Sequence, residues 1–125
     1  MAVNLTRQDG LIYMTGGTTW DVLATIPAGD SINGTVMILD VKIYGCSSQI
    51  LEFGIVAWYQ SVYVKTTGGT LSLLGTIKEM KKKEINVSNP LEYRQVISSG
   101  NVSVEVREAV SGAKIYYDIQ LYNTQ

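Results

Sequence analysis

The chain has 125 residues with ten basic and eleven acidic side chains, enough for one domain with a single core, and its net charge of −1 offers no basic footprint for nucleic acid. It has no histidine and one cysteine, Cys46, which excludes an intrachain disulfide, Ser-His-Asp and Cys-His catalysis, and histidine-based zinc sites. No run reaches the ~18 apolar residues of a membrane span, and the N-terminus lacks a signal-peptide h-region, so a chain used without secretion or membrane insertion is expected.

Residues 1–18 have weak periodicity and close on Thr15-Gly16-Gly17-Thr18. They read as an N-terminal arm with one short strand at Leu11 to Met14. Leu5, Leu11, Ile12 and Tyr13 are more apolar than a free tail needs, so the arm is expected to dock on a neighbour. Residues 19–125 read as a β-sandwich domain. In Thr19 to Ile26, Trp20, Val22, Ala24 and Ile26 alternate with polar neighbours and Leu23; Pro27 ends the strand because it lacks the ladder N–H. Trp20 is expected to pack between the sheets. Pro27-Ala28-Gly29-Asp30 and Asn33-Gly34 are turn chemistry.

Thr35 to Tyr44 is the next strand, with Thr35, Met37, Leu39, Val41 and Ile43 on one face and Val36, Ile38, Asp40, Lys42 and Tyr44 on the other. Cys46 follows in a loop, where neither a catalytic nor a structural role is expected. Leu51 to Val64 is the longest apolar, aromatic and β-branched run. Ile55, Ala57, Tyr59 and Tyr63 share its inward parity. Val56, Trp58 and Val62 on the opposite parity are too apolar for a wet face, so a second layer of this chain or a partner chain must cover them. A bend or bulge is expected near Gly54 or Gln60.

After the turn Thr66-Thr67-Gly68-Gly69 comes a strand from Thr70 to Ile77. The run Lys78 to Glu84 reads either as one helical turn, with Thr76 and Glu79 as a capping box, or as a lysine-rich strand edge. Leu91 to Ile97 is followed by a turn at 98–101. Val102, Val104 and Val106 then alternate with Ser103, Glu105 and Arg107, and Ile115, Tyr117, Ile119 and Leu121 point inward from the last strand. Seven to eight strands with turn signals every ~8–12 residues make an all-β, antiparallel, jelly-roll-like sandwich.

No catalytic motif or cofactor fingerprint is visible, and no cofactor or metal is implied. Asp21, Asp40, Glu52 and Asp118 are the carboxylates available for paired acid–base work, but each falls on an outward parity and reads as surface charge. The aromatics Trp20, Trp58, Tyr59, Tyr63, Tyr116, Tyr117 and Tyr122 read as core or interface anchors before sugar-stacking platforms. The Asn-x-Ser/Thr triplets at Asn4, Asn33, Asn86 and Asn101 read as chance.

Four pieces occur in order: Thr18-Thr19-Trp20-Asp21 through Pro27, Gly68-Gly69-Thr70-Leu71 through Thr76, Gly100-Asn101-Val102 through Val106, and Gly112-Ala113-Lys114 through Ile119. This resembles the β-sandwich module found toward the C-terminus of tailed-bacteriophage structural proteins: tail fibres, tailspikes and head fibres. The resemblance spans residues 18 to 121. The chain departs from it in having Tyr116 and Tyr117 where a tryptophan is frequent, and in the Met80-Lys81-Lys82-Lys83-Glu84 run. The resemblance implies a non-enzymatic virion component, assembled in the host bacterial cytoplasm, whose partners are itself as a homotrimer and other virion proteins. A fibre part, or a head, collar or tail decoration protein, fits a chain that is nearly all module. The alternative is a carbohydrate- or receptor-binding module whose partner is a host cell-surface glycan.

Overall fold

The computed structural model describes residues 3–46, 54–85, 91–108 and 111–124. Eight antiparallel strands form two sheets. The larger holds β1 (Val3–Tyr13), β8 (Lys114–Thr124), β3 (Thr35–Cys46), β4 (Gly54–Lys65) and β5 (Leu71–Ile85), in that spatial order. The smaller holds β2 (Asp21–Ile26), β7 (Asn101–Arg107) and β6 (Glu92–Ser98). Strands from the two ends of the chain nest, β1 with β8 and β2 with β7, which gives the sandwich its jelly-roll-like character. The middle of the chain is simpler. β3, β4 and β5 form a meander, and β6 and β7 form a hairpin whose two loop residues, Ser99 and Gly100, both have positive φ, as a tight type I′ turn requires.

Period-two patterning builds the core. Met37, Leu39, Val41 and Ile43 of β3, Ala57, Tyr59 and Tyr63 of β4, and Ile115, Ile119 and Leu121 of β8 are buried from the larger sheet. Val102, Val104 and Val106 of β7 meet them from the smaller one. Where the inner faces turn polar, hydrogen bonds take over: Gln95 Oε1 accepts from Ser61 Oγ at 2.8 Å and from Tyr63 Oη at 2.6 Å, joining β4 to β6 across the sandwich. The neighbouring rings of Tyr59 and Tyr93 stack at 3.8 Å.

Several expectations are corrected. Trp20 is not between the sheets. A register shift between Val22 and Ala24 inserts Leu23 as an extra residue. Leu23, Ala24 and Ile26 therefore all turn inward, while Val22 stays outside. Trp20 lies outside with Val22, its ring between the guanidinium groups of Arg94 and Arg107, 4.1 and 4.5 Å from the ring centre. The short strand expected at Leu11 to Met14 is an eleven-residue strand, Val3–Tyr13, in unbroken register with β8. Gly10 makes this fit possible: a Cβ there would lie 2.8 Å from the Tyr117 hydroxyl.

The run from Lys78 is strand, the far part of β5, so Thr76 and Glu79 cap no helix. The irregularity near Gln60 exists, but its extra residues belong to β5, since β4 keeps continuous register with β3. Cys46 ends β3 instead of lying in a loop. Leu51, Glu52, Phe53 and Asn86 lie outside the described residues.

Two outcomes follow from this packing. Leu39→Ala should lose about 2–5 kcal/mol of unfolding free energy, as buried leucine deletions do. Trp20→Ala should lose only about 1–2 kcal/mol, from two exposed cation–π contacts. Urea unfolding of both variants checks the order, and a larger loss at Trp20 would return that ring to the core. Burial pushes the Tyr63 phenol up to about 12 from its ordinary 10.0. Its neutral form thus stabilises the fold fully below pH 10, and that contribution is lost as pH rises through about 12. Tyr63→Phe should flatten the fall of the urea midpoint across that window; an unchanged slope would contradict the assignment.

Candidate functional site

The outer face of the larger sheet is built by the residues left over when the core parity is satisfied. Register carries each of them across all five strands in rows. One row is Leu5, Tyr122, Ile38, Val62 and Leu74. A second, three rows away, is Leu11, Tyr116, Tyr44 and Val56, ending at Lys83. Between them run two polar rows, Arg7-Gln120-Asp40-Gln60-Lys78 and Asp9-Asp118-Lys42-Trp58-Lys81. Among the described residues no layer of the chain covers this face: Leu5 is 54% exposed, Tyr44 46%, Tyr116 45%, Ile38 41% and Val56 41%. Aliphatic and aromatic stripes on an outward face are the composition typical of interaction surfaces.

Trp58 is partly buried on this face and held against its own sheet. Its indole N–H donates to Asp40 Oδ1 at 2.6 Å, and Lys42 Nζ sits 5.4 Å from the ring centre. Val62, two outward positions further along β4, is half-buried. The arm residues divide by parity. Leu5, Leu11 and Tyr13 lie exposed on the outer face, whereas Ile12 packs against the core.

The carboxylates are spread apart by function. Asp21 accepts from the Thr15 amide and hydroxyl at 3.0 and 2.6 Å, Asp40 accepts from Trp58, and Asp118 binds Arg7 through two bonds of 3.0 and 3.2 Å. Glu52 lies outside the described residues, and these residues contain no cluster of three metal-ligating groups.

Of the aromatics weighed for sugar stacking, Tyr59 and Tyr63 are core. Tyr116 and Tyr44 stand side by side in register over a shallow hollow of about 440 Å³ that Leu11, Asp9 and Asp118 also line. Tyr44 was legible as outward but had no assigned role, because its partner strand begins some seventy residues later.

The outer face of the smaller sheet is charged instead. Arg94 binds Glu105 at 2.7 Å and Arg107 binds Glu92, with Trp20 between the two arginines. Burial pushes the Glu105 carboxyl up. Hydrogen bonds from Ser103 and Arg94, with the Arg94 charge, outweigh this and hold it below the usual range. Glu92 is held low by its bond from Arg107. No contiguous apolar row crosses this sheet.

No family model matches the sequence, and no curated protein sequence matches it. Among solved structures, the fold is similar to part of the tailspike protein of Acinetobacter baumannii phage AM24, with a TM-score of 0.58 at 10% identity, covering 98% of this chain and 26% of that one. The chain thus spans about a quarter of that protein's length, and likeness at this identity establishes shared fold.

The face assignment has a direct check in β3. In the unassociated chain, Ile38→Lys should change stability by no more than about 0.5 kcal/mol, as exposed substitutions do, whereas Leu39→Lys should unfold it by burying an unpaired charge. Circular dichroism melts of the two variants at a dilution where the chain is monomeric decide it; comparable losses would mean that the chain's own residues cover the outer face.

Proposed function

We propose that this chain is a non-catalytic structural module of a tailed-phage particle that works by associating through the outer face of its five-stranded sheet, as a homotrimer. The observation that carries this reading is the pair of apolar rows on a face that none of the described residues covers. Exposed apolar area of this extent is unusual on a monomer and usual at a subunit contact. Two further points support the phage assignment: the ordered motifs from Thr18 to Ile119, and a fold shared with part of a phage tailspike. Val56, Trp58 and Val62 lie along β4, beside the central strand β3 of the face. Leu5, Leu11 and Tyr13 at its margin are the residues offered to other virion proteins.

A second reading rests on the hollow at Tyr44 and Tyr116. Two exposed rings flanked by Asp9 and Asp118 present a stacking platform with acceptors for sugar hydroxyls, as a receptor- or carbohydrate-binding module would. A glycan array separates the two readings: a signal abolished by Tyr44→Ala and Tyr116→Ala favours the sugar.

The association reading is tested by light scattering after size exclusion at about tens of micromolar, a range in which a standard-sized interface with micromolar or tighter Kd is populated. The wild type should have three times the chain mass. Trp58→Asp places a charge in the contact and should lower the mass to that of one chain without unfolding it. A monomeric wild type, or a Trp58→Asp variant of unchanged mass, contradicts it.

A further inference from the structure

The two edges of the larger sheet are built differently. β5 carries Lys78, Lys81, Lys82 and Lys83 and two register shifts, devices that keep a foreign strand from pairing. β1, at the opposite edge, has neither lysine nor proline, and its register runs unbroken from Val3 to Tyr13. Among the described residues no strand lies on its other side. The smaller sheet's edges, β2 and β6, are short, at six and seven residues, and β2 is bulged. β1 is thus the one long, regular and unguarded edge described.

Its outward side chains are self-complementary. Read from Gln8 in both directions, Arg7 is matched by Asp9 and Leu5 by Leu11. We propose that β1 pairs antiparallel with β1 of a second copy about a two-fold axis at Gln8, joining two five-stranded sheets into one of ten strands. In that register Arg7 lies opposite the partner's Asp9, and Leu5 lies opposite the partner's Leu11; each contact occurs twice. Moving the axis by one residue, to Arg7 or to Asp9, sets like charges opposite each other and puts a leucine against a charge. Charge complementarity therefore selects one register.

The surroundings agree. Arg7 and Asp9 have side chains 55% and 64% exposed and already pair within one chain at 3.4 Å, so across the edge each exchanges or shares this contact with its counterpart in the partner. Each copy adds Asp118, which binds Arg7, and Lys42, which faces Asp118 in register. Two arginines, two lysines and four aspartates then meet at the axis with no net charge. The apolar rows also run on: the row ending at Leu5 continues into the partner's Leu11. Edge pairing stops at two copies, because both open β1 edges are consumed and only the lysine-guarded β5 edges and the short β2 and β6 edges remain.

This contact uses the edge, not the face, so the two are separable by mass: the edge alone gives two copies, the face alone three, both together multiples of six. A register-specific test uses cysteines on the Cys46→Ser background. Directly opposed antiparallel residues have Cα atoms about 4.5–5.5 Å apart, within disulfide reach. The double variant Leu5→Cys/Leu11→Cys should form a covalent dimer on mild oxidation, and either single variant should not. Charge reversal gives a second readout. Arg7→Asp or Asp9→Arg alone should weaken the dimer at least about tenfold, while the two together should restore it, since opposite charges again face each other. No covalent dimer from the double cysteine variant, equal dimer from the single ones, or charge reversals without effect on mass would overturn the proposal.

Discussion

A β-strand has two faces, and the described residues form only enough sheet to cover one face of each layer. The inward residues Met37, Leu39, Val41 and Ile43 of β3, Ala57, Tyr59 and Tyr63 of β4, and Ile115, Ile119 and Leu121 of β8 share a core with β7, where Leu39, Val41, Val104 and Ile115 are wholly enclosed. That commitment leaves the opposite parity of the same strands no covering layer among the described residues. On the smaller sheet the outward set is ionic, with Arg94, Glu105, Arg107 and Glu92 arranged around Trp20, and water suits it. On the larger sheet the outward set includes Ile38, Tyr44, Val56, Val62 and Tyr116, and water does not. The surface proposed for association is a by-product of strand geometry given a particular choice of side chains.

The edges extend the same logic. A sandwich has four edges, and each is a row of unsatisfied backbone groups unless guarded. Lysines and bulges guard β5; shortness, and in β2 a bulge, limit the two edges of the smaller sheet. β1 is left long, regular and flanked by leucines. Inside, the match of a five-stranded to a three-stranded layer is completed by side-chain hydrogen bonds where apolar groups run out. Gln95 accepts from both Ser61 and Tyr63, so the margin of the core is tied by directional contacts and not by packing alone.

Much of this was legible in the residues. The alternation of Met37 through Ile43, of Val102 through Val106 and of Ile115 through Leu121 identified the core faces and hence the all-β sandwich. It also placed Val56, Trp58 and Val62 outward. What alternation does not carry is pairing. The row that joins Leu5 to Ile38 and Leu74 exists only because Tyr122, more than eighty residues from Ile38 and more than a hundred from Leu5, lies between them in register, so the extent of the face was invisible. The same limit hid β1, whose eleven residues have little local strand character and are held by β8. Trp20 was misplaced because one extra residue at Leu23 inverts parity without leaving any compositional mark. The Lys78 to Glu84 run fits helix and edge strand equally by local rules, and only its place at the margin of the sheet selects strand.

The central claim, that the outer face of the five-stranded sheet is covered by association and not by the chain itself, is tested most directly by hydroxyl-radical footprinting across a dilution series. Val36, Ile38, Tyr44, Val62 and Leu74 should be protected at high concentration and become labelled on dilution, while Leu39, Val41 and Val104 stay protected throughout. Outer-face labelling that is the same at every concentration, whether strong or weak, would contradict the account.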